Sequence, residues 1–467
     1  MFSKSVRYFA TLLAIGILSC ANRNDDAVRH EITPLRRGGG QLTSTPGERK
    51  AVVRSSDQIT EPTGVVTLRD AAAFALVNNP ELRAFSLEIR AAEARKLQAG
   101  LLPNPKIGLE VEEFGGADER RGFDSSETRI ELGQLIELAG KRSKRIRVAT
   151  LEKTLAEWDY QSKRLDVMNQ VTQALIDVLA AQERLALAEE LVELSNRAYT
   201  AVRQRLEVGK DSPVDETKAR VASSTVQIEL GRARQALIFT RRQLAATWGS
   251  RTPGFDKVTG QFYEILPLRS FDELAGLIRQ NPDVARWAVE KEERRAALEL
   301  EKAEATSDPV LHGGLQYLEE ADDTAFILGL SIPVPIFDRN QAGIREATYM
   351  LAKAEESHKA VETSLYAVLA EVYQRLSSAF TETALLKSEV LPGAQSAFDA
   401  ANRGYREGKF GYLDVLDAQR TLFEVKGKYI EALAAYHEAR ADVERLTGHS
   451  IEVTEDTQKH NRKGQGQ

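Results

Sequence analysis

The 467-residue chain holds one cysteine, three methionines and six histidines. No cluster among them has metal-ligand spacing, and a lone cysteine excludes an intrachain disulfide. Aromatic residues make up only 7% of the chain. Past the first twenty residues there is no apolar run of membrane length, which excludes a transmembrane helix. No basic stripe interrupts a net charge of −6, so nucleic acid is not an expected partner. Neither a nucleophile–base constellation, a phosphate loop nor a paired acid/base site is present, so no enzyme activity and no cofactor are expected. The abundant residues are Ala, Leu, Glu, Arg and Lys, a composition suited to long helices.

The N-terminus stands apart. Lys4 and Arg7 precede a short apolar run, YFATLLAIGIL, which ends at Ile17-Leu18-Ser19-Cys20. Basic start, apolar middle and small residue before the cut describe a signal peptide over residues 1–19. The ending resembles a bacterial lipoprotein box, which implies lipidation of Cys20; the alternative is an ordinary signal peptide with an incidental cysteine. Residues 20–62 are rich in Gly, Pro, Arg and Asp without periodicity and read as a lipidated arm, and 450–467 as a polar tail.

Between these ends the chain repeats itself. RLEVGKDSPVDETKARV (205–221) matches YREGKFGYLDVLDAQRT (405–421), with Gly209 on Gly408, Lys210 on Lys409 and Asp215 on Asp414 at an offset of 199. NNPELRA (78–84) matches QNPDVAR (280–286) at offset 202, and LIELAGKR (135–142) matches PVPIFDRN (333–340) with Lys141 on Arg339 at offset 198. Landmarks in the same order predict a tandem duplication, repeat 1 over 63–265 and repeat 2 over 266–449.

Each half carries a helix start at Asn-Pro, where proline's missing N–H costs nothing. A strand pair follows, about 105–136 in the first half and about 309–334 in the second. Ile107, Leu109 and Val111 alternate with Lys106, Glu110 and Glu112, and Phe326, Leu328, Leu330 and Ile332 share one side of FILGLSI. Leu311, Leu315 and Tyr317 alternate with His312, Gly314 and Gln316. Period-two segments of about ten residues suit tilted transmembrane strands. The next stretches, about 141–207 and 339–407, have no proline but Pro392, and ~65 helical residues span roughly 100 Å. Gly209 and Gly408 act as helix stops before shorter return helices. The second return helix has two apolar heptad rows, Val415, Leu422, Tyr429, Tyr436, Val443 and Ala418, Val425, Ala432, Ala439, Leu446. The first is weaker, and the helices near 80–102 and 213–248 together match one long helix in length.

Four strands cannot close a barrel, and open edges in lipid leave backbone groups unpaired. Three copies would supply twelve strands, continued by a tunnel of helices. The expected fold is therefore mainly α with β: a duplicated protomer of long coiled-coil helices and four transmembrane strands, trimerising into a 12-stranded β-barrel on a periplasmic α-helical barrel. The reading from another class is a soluble periplasmic coiled-coil adaptor or scaffold lipoprotein with surface hairpins.

The motifs NNPELRA, AAEARKLQAGLLPNPKIGLEVE, QLIELAGKR, LSIPVPIFDRNQAG and GYREGKFGYLDVLDAQRTLFEVK resemble the TolC-type outer-membrane factors from about Val66 to Gly448. LLPNP and ELAGKR are most similar to components of cobalt–zinc–cadmium and copper–silver efflux systems. The resemblance implies a homotrimeric outer-membrane duct, anchored in outer-membrane lipid and extending into the periplasm. It also implies a periplasmic adaptor and an inner-membrane resistance-nodulation-division pump as partners. Heavy-metal cations are the implied cargo; drug efflux and type I secretion are the alternatives.

Asp414, three residues into a helix capped at Gly411, has a local explanation in free N–H groups and the helix dipole. Asp417 lies one turn further in, on the same face, and its repeat counterpart is Lys218. In a trimer the two positions would give a ring of six carboxylates, and the resemblance implies that both are gate aspartates. It implies a gate tyrosine at Tyr405 as well. The gate arginine expected five residues later is Phe410, beside Lys409, so an apolar plug is the alternative to a hydrogen-bonded lock. The tips at Gly209, Lys210, Gly408 and Lys409 are the expected adaptor-docking points. His312 should face a lumen as a hydrated side chain rather than a metal ligand.

Overall fold

The computed structural model describes residues 61–117 and 120–449. The expected signal peptide, Cys20, residues 20–60 of the arm and the tail 450–467 lie outside them. In chain order the elements are β1 (Gly64–Val66), α1 (Leu68–Asn78), α2 (Pro80–Ala99), β2 (Lys106–Glu112), β3 (Glu127–Leu135), α3 (Lys141–Glu207), α4 (Pro213–Ala246) and β4 (Phe255–Val258). There follow α5 (Phe271–Leu277), α6 (Pro282–Glu304), β5 (Val310–Leu318), β6 (Asp323–Ser331), α7 (Gln341–Leu385), α8 (Leu391–Arg406) and α9 (Tyr412–Thr447). Among the described residues no helix is long and apolar enough to cross a membrane.

The two hairpins join along β3 and β5 into one antiparallel sheet ordered β2-β3-β5-β6. Its register aligns the alternating rows expected of the separate strands. Leu109 faces Ile130, Ile130 faces Leu315, and Leu315 faces Phe326. Side chains two apart share a face, so these residues, with Ile107, Leu328 and Leu330, form one continuous apolar surface. It is uncovered: Phe326 and Leu328 are 77% and 82% exposed. The opposite face carries Glu110, Arg129, Glu131, His312 and Gln316. There Arg129 pairs with Glu110 at 3.1 Å, and His312 Nδ1 lies 3.9 Å from Glu131. The outer edges of β2 and β6 have no partner strand among the described residues.

The α3 helix runs unbroken for 67 residues, about 100 Å at 1.5 Å per residue. Its counterpart is less regular than the sequence suggests: a π-helical turn at Leu386–Val390 separates α7 from α8. Pro392, in the first turn of α8, has no N–H to donate to the preceding turn, and a wider turn accommodates the lost bond.

The helix starts after the sheet fall at a different offset from the expected landmark match. Helix α3 begins after Gly140 and α7 after Asn340, both left-handed, at φ of +68° and +56°. That pairs Lys141 with Gln341, an offset of 200 rather than the 198 expected from LIELAGKR. The connection after β6, 332–340, is longer than 136–140 after β3, and its prolines mislead a residue-by-residue match. Asparagine replaces glycine because it tolerates the left-handed region, and here its Nδ2 is held by the Glu301 carbonyl at 2.8 Å.

Both Asn-Pro motifs do more than start a helix. Asn79 Oδ1 accepts from Leu82 N at 3.0 Å, while its Nδ2 donates to the Thr247 carbonyl at the end of α4 at 2.8 Å. Asn281 Oδ1 accepts from Asp283 N at 2.8 Å, and its Nδ2 reaches the Arg445 and Leu446 carbonyls of α9 at 3.0 and 2.9 Å. One amide thus satisfies an orphan donor of one helix and one or two orphan acceptors of another. The short helices are spliced end to end, α4 onto α2 and α9 onto α6, in line with their summed length.

The α9 rows read as heptads are buried: Leu422, Tyr436 and Val443 are 2%, 1% and 0% exposed. Only Ala418 is less than buried, and it still packs on the core. In α4 the weaker pattern leaves Val214, Val221 and Ile228 exposed. Helix α9 seals the seam between the halves. Asp442 accepts from Asn169 and Gln173 of α3 at 2.9 and 2.7 Å, and Arg445 binds Asp166 and Asp283 at 2.6 and 2.8 Å. The Tyr436 hydroxyl holds both backbone groups of Leu266 in the connection between the halves, at 2.9 and 3.2 Å.

Candidate functional site

The two helical hairpin tips are built alike. Helix α3 stops at Gly209 (φ +69°), with Gly209 N donating to the Leu206 carbonyl and Lys210 N to that of Arg205, at 2.9 and 2.8 Å. Helix α8 stops at Gly408 (φ +73°), with Gly408 N on the Tyr405 carbonyl and Lys409 N on that of Gly404, at 3.1 and 2.8 Å. This pair of bonds closes a helix around a left-handed glycine. The return helices are capped as expected. Ser212 and Asp215 form a reciprocal box: Asp215 N donates to Ser212 Oγ at 3.2 Å, and Ser212 N to Asp215 Oδ2 at 3.4 Å. Gly411 has no side chain to give, so only the return bond forms, from Gly411 N to Asp414 Oδ2 at 2.9 Å.

Asp414 is therefore occupied with a cap. Asp417 is exposed and makes no hydrogen bond or ion pair with the described residues. Its carboxylate stands one turn above the cap with no task inside the protomer.

Tyr405 is buried, at 6% exposure, and its hydroxyl donates to Asp211 of the other tip. The neighbouring Arg205 donates from Nε to both Asp211 oxygens at 3.1 and 3.2 Å, and from Nη1 to the Tyr405 carbonyl at 3.3 Å. Its guanidinium also lies 4.4 Å from the centre of the Tyr405 ring. Burial first, and then the bond to anionic Asp211, hold the Tyr405 phenol far above its ordinary pKa, so it stays a donor at any physiological pH. The Tyr412 ring packs edge-on to Tyr405 at 6.3 Å. A cavity of about 640 Å³ opens beside them, lined by Arg205, Lys210, Phe398, Tyr405, Tyr412 and Gln419.

Phe410 does not join this link. Its ring lies against the backbone of Gly404, where any added Cβ would collide with it, and it remains 49% exposed. Lys409 pairs with Glu407 at 2.6 Å within its own tip. The sequence pointed to Tyr405 but missed Arg205 and Asp211. Their pairing depends on the left-handed turn at Gly209 folding Asp211 back over the last turn of α3. The pattern R-x-x-x-G-K-D was the available signal.

The outer membrane efflux protein family matches this chain over residues 73–250 and 277–449. The chain belongs to that family. The two matched stretches fall one in each half, and each contains a hairpin tip. Among relatives of this outer membrane efflux protein, the cobalt-zinc-cadmium resistance protein CzcC of Cupriavidus metallidurans is 36% identical over 83% of the chain and 91% of its own length. The outer membrane protein TolC of Escherichia coli is 24% identical over 78% of each. A crystal structure of CusC has the same fold, with a TM-score of 0.69 at 18% identity, covering 86% of this chain and 99% of its own.

Proposed function

We propose that this outer membrane efflux protein is the exit duct of a tripartite resistance-nodulation-division system, and that its cargo is heavy-metal cations. The observation that carries the duct is the sheet: four strands, an uncovered apolar face, and two unpaired edges at β2 and β6. Such a surface is stable in lipid only when closed. A homotrimer supplies twelve strands, each copy's β6 meeting the next copy's β2, with the polar face carrying Glu110, Glu131 and His312 turned to the lumen. The duplicated halves, 63–265 and 266–449, then contribute alternate helix pairs to a periplasmic tunnel, with lipidated Cys20 as a further anchor. The metal reading rests on the likeness to CzcC, whose name specifies cobalt, zinc and cadmium.

In this reading the tips form the periplasmic gate and the docking points of the adaptor, through Gly209, Lys210, Gly408 and Lys409. Tyr405, tied to Asp211, holds the closed state, and Asp417 contributes to an acidic ring where copies converge. Asp417→Asn should lower cation-over-anion selectivity in planar bilayers, and Phe410→Ala should leave it unaltered. Equal selectivity in wild type and Asp417→Asn would remove Asp417 from the gate.

Deletion of the gene should sensitise cells to cobalt, zinc and cadmium while leaving drug tolerance intact, and the protein should appear as a heat-sensitive trimer in outer-membrane fractions. A drug phenotype without a metal phenotype would reassign the cargo, and a soluble periplasmic monomer would overturn the duct.

A further inference from the structure

We propose that Arg205 is the residue that holds the closed tips together in this chain, in place of an arginine at position 410; this rests on the gate reading of Tyr405. Arg205 sits in the last turn of α3, and the Schellman-type bond from Lys210 N to its carbonyl, at 2.8 Å, brings Asp211 back over its side chain. The guanidinium then serves three acceptors of different kinds. It gives Nε to the Asp211 carboxylate at 3.1 and 3.2 Å, Nη1 to the Tyr405 carbonyl at 3.3 Å, and its flat face to the Tyr405 ring at 4.4 Å. A planar fork that also stacks on an aromatic ring is specific to arginine.

Asp211 depends on that cation. Its side chain is 8% exposed, and a desolvated carboxylate is costly without a charged partner. With Arg205 in place it is aimed at the Tyr405 hydroxyl, which donates to it. Arg205 therefore touches Tyr405 directly and also positions the acceptor that Tyr405 uses.

The second tip has no equivalent to offer. At the repeat offset of 199, Gly404 stands where Arg205 does and Phe410 where Asp211 does. The ion pair of the first tip is matched there by a phenyl ring lying on bare glycine backbone. The polar link between tips runs from the first tip alone. The position that lacks the expected arginine is thus the counterpart of Asp211, and the cation at the tips is supplied by Arg205 of the other hairpin.

The test is single-channel conductance of purified full-length trimers in planar bilayers, for wild type, Arg205→Met, Arg205→Lys, Asp211→Asn, Tyr405→Phe and the double variant Arg205→Met/Tyr405→Phe. Each neutralising variant should raise conductance severalfold, and Arg205→Lys should fall between wild type and Arg205→Met. The double variant should open no further than Arg205→Met, because both substitutions break the same link. A role in packing alone would lower the heat resistance of the trimer and leave conductance at the wild-type level. Opening by Tyr405→Phe with wild-type conductance in Arg205→Met would overturn the assignment of Arg205 and keep the gate reading. Wild-type conductance in Arg205→Met, Asp211→Asn and Tyr405→Phe together would overturn both. If Arg205→Met does not trimerise, Arg205→Gln, which keeps the stem and one donor arm, is read in the same way.

Discussion

Asn281→Leu should destabilise the helical part of the protein by roughly 3 kcal/mol or more, the sum of several buried polar groups left without partners. Asn281 is fully buried, and leucine of nearly equal volume strands Asp283 N and the two carbonyls of Arg445 and Leu446. The loss would spread, because the same joint carries the Arg445 pairs to Asp166 and Asp283. Asn79→Leu should cost less: Asn79 bridges to one carbonyl only, and the nearby Lys163–Glu81 pair has a 58% exposed Glu81. Far-UV circular dichroism melts of the two variants measure the difference. Equal midpoints for Asn281→Leu and wild type would show that the splice contributes nothing.

Leu328→Arg should abolish assembly in the outer membrane, whereas Gln316→Arg should assemble normally. Both lie inside strands of the sheet, on opposite faces. A lipid-facing arginine near the bilayer centre costs about 2–4 kcal/mol, and a lumen-facing one costs little. In the proposed trimer three copies would multiply the penalty, and β6 is the edge whose pairing would close the barrel. The yield of heat-sensitive trimer in outer-membrane fractions is the readout. Normal assembly of Leu328→Arg would mean that the apolar face meets something other than lipid.

The strands and the α9 stripe were legible because their periods are local. Alternation in KIGLEVE and FILGLSI needs only the pleat, and the heptads from Val415 to Leu446 need only the helix. Capping at Ser212 and Asp414 was equally local. The splices at Asn79 and Asn281 were not, since each asparagine reports its helix start in sequence while its carbonyl partners lie 164–168 residues away. The landmark match of Lys141 to Arg339 lies two positions from the helix starts at Lys141 and Gln341, because the connections before the two helices differ in length. At the tips, Tyr405 was visible through a motif and its partner was not. Sequence shows what stands at position 410, but it does not show that Arg205 reaches Asp211 and Tyr405, where a left-handed turn creates the contact.

The position of α9 has a consequence for biosynthesis. Among the described residues it is the last long element in chain order, so it is made after α3, yet it fills the seam that α3 needs. Until Asp442 reaches Asn169 and Tyr436 reaches Leu266, the first half waits with apolar surface open, and contacts of such large sequence separation form slowly. The contacts of α9 with α3 and with the connection at Leu266 therefore close the seam only after both other partners are made. A chain cut short before Tyr412 would carry both hairpins of the sheet and still leave the Asn169 and Leu266 partners of α9 unmet.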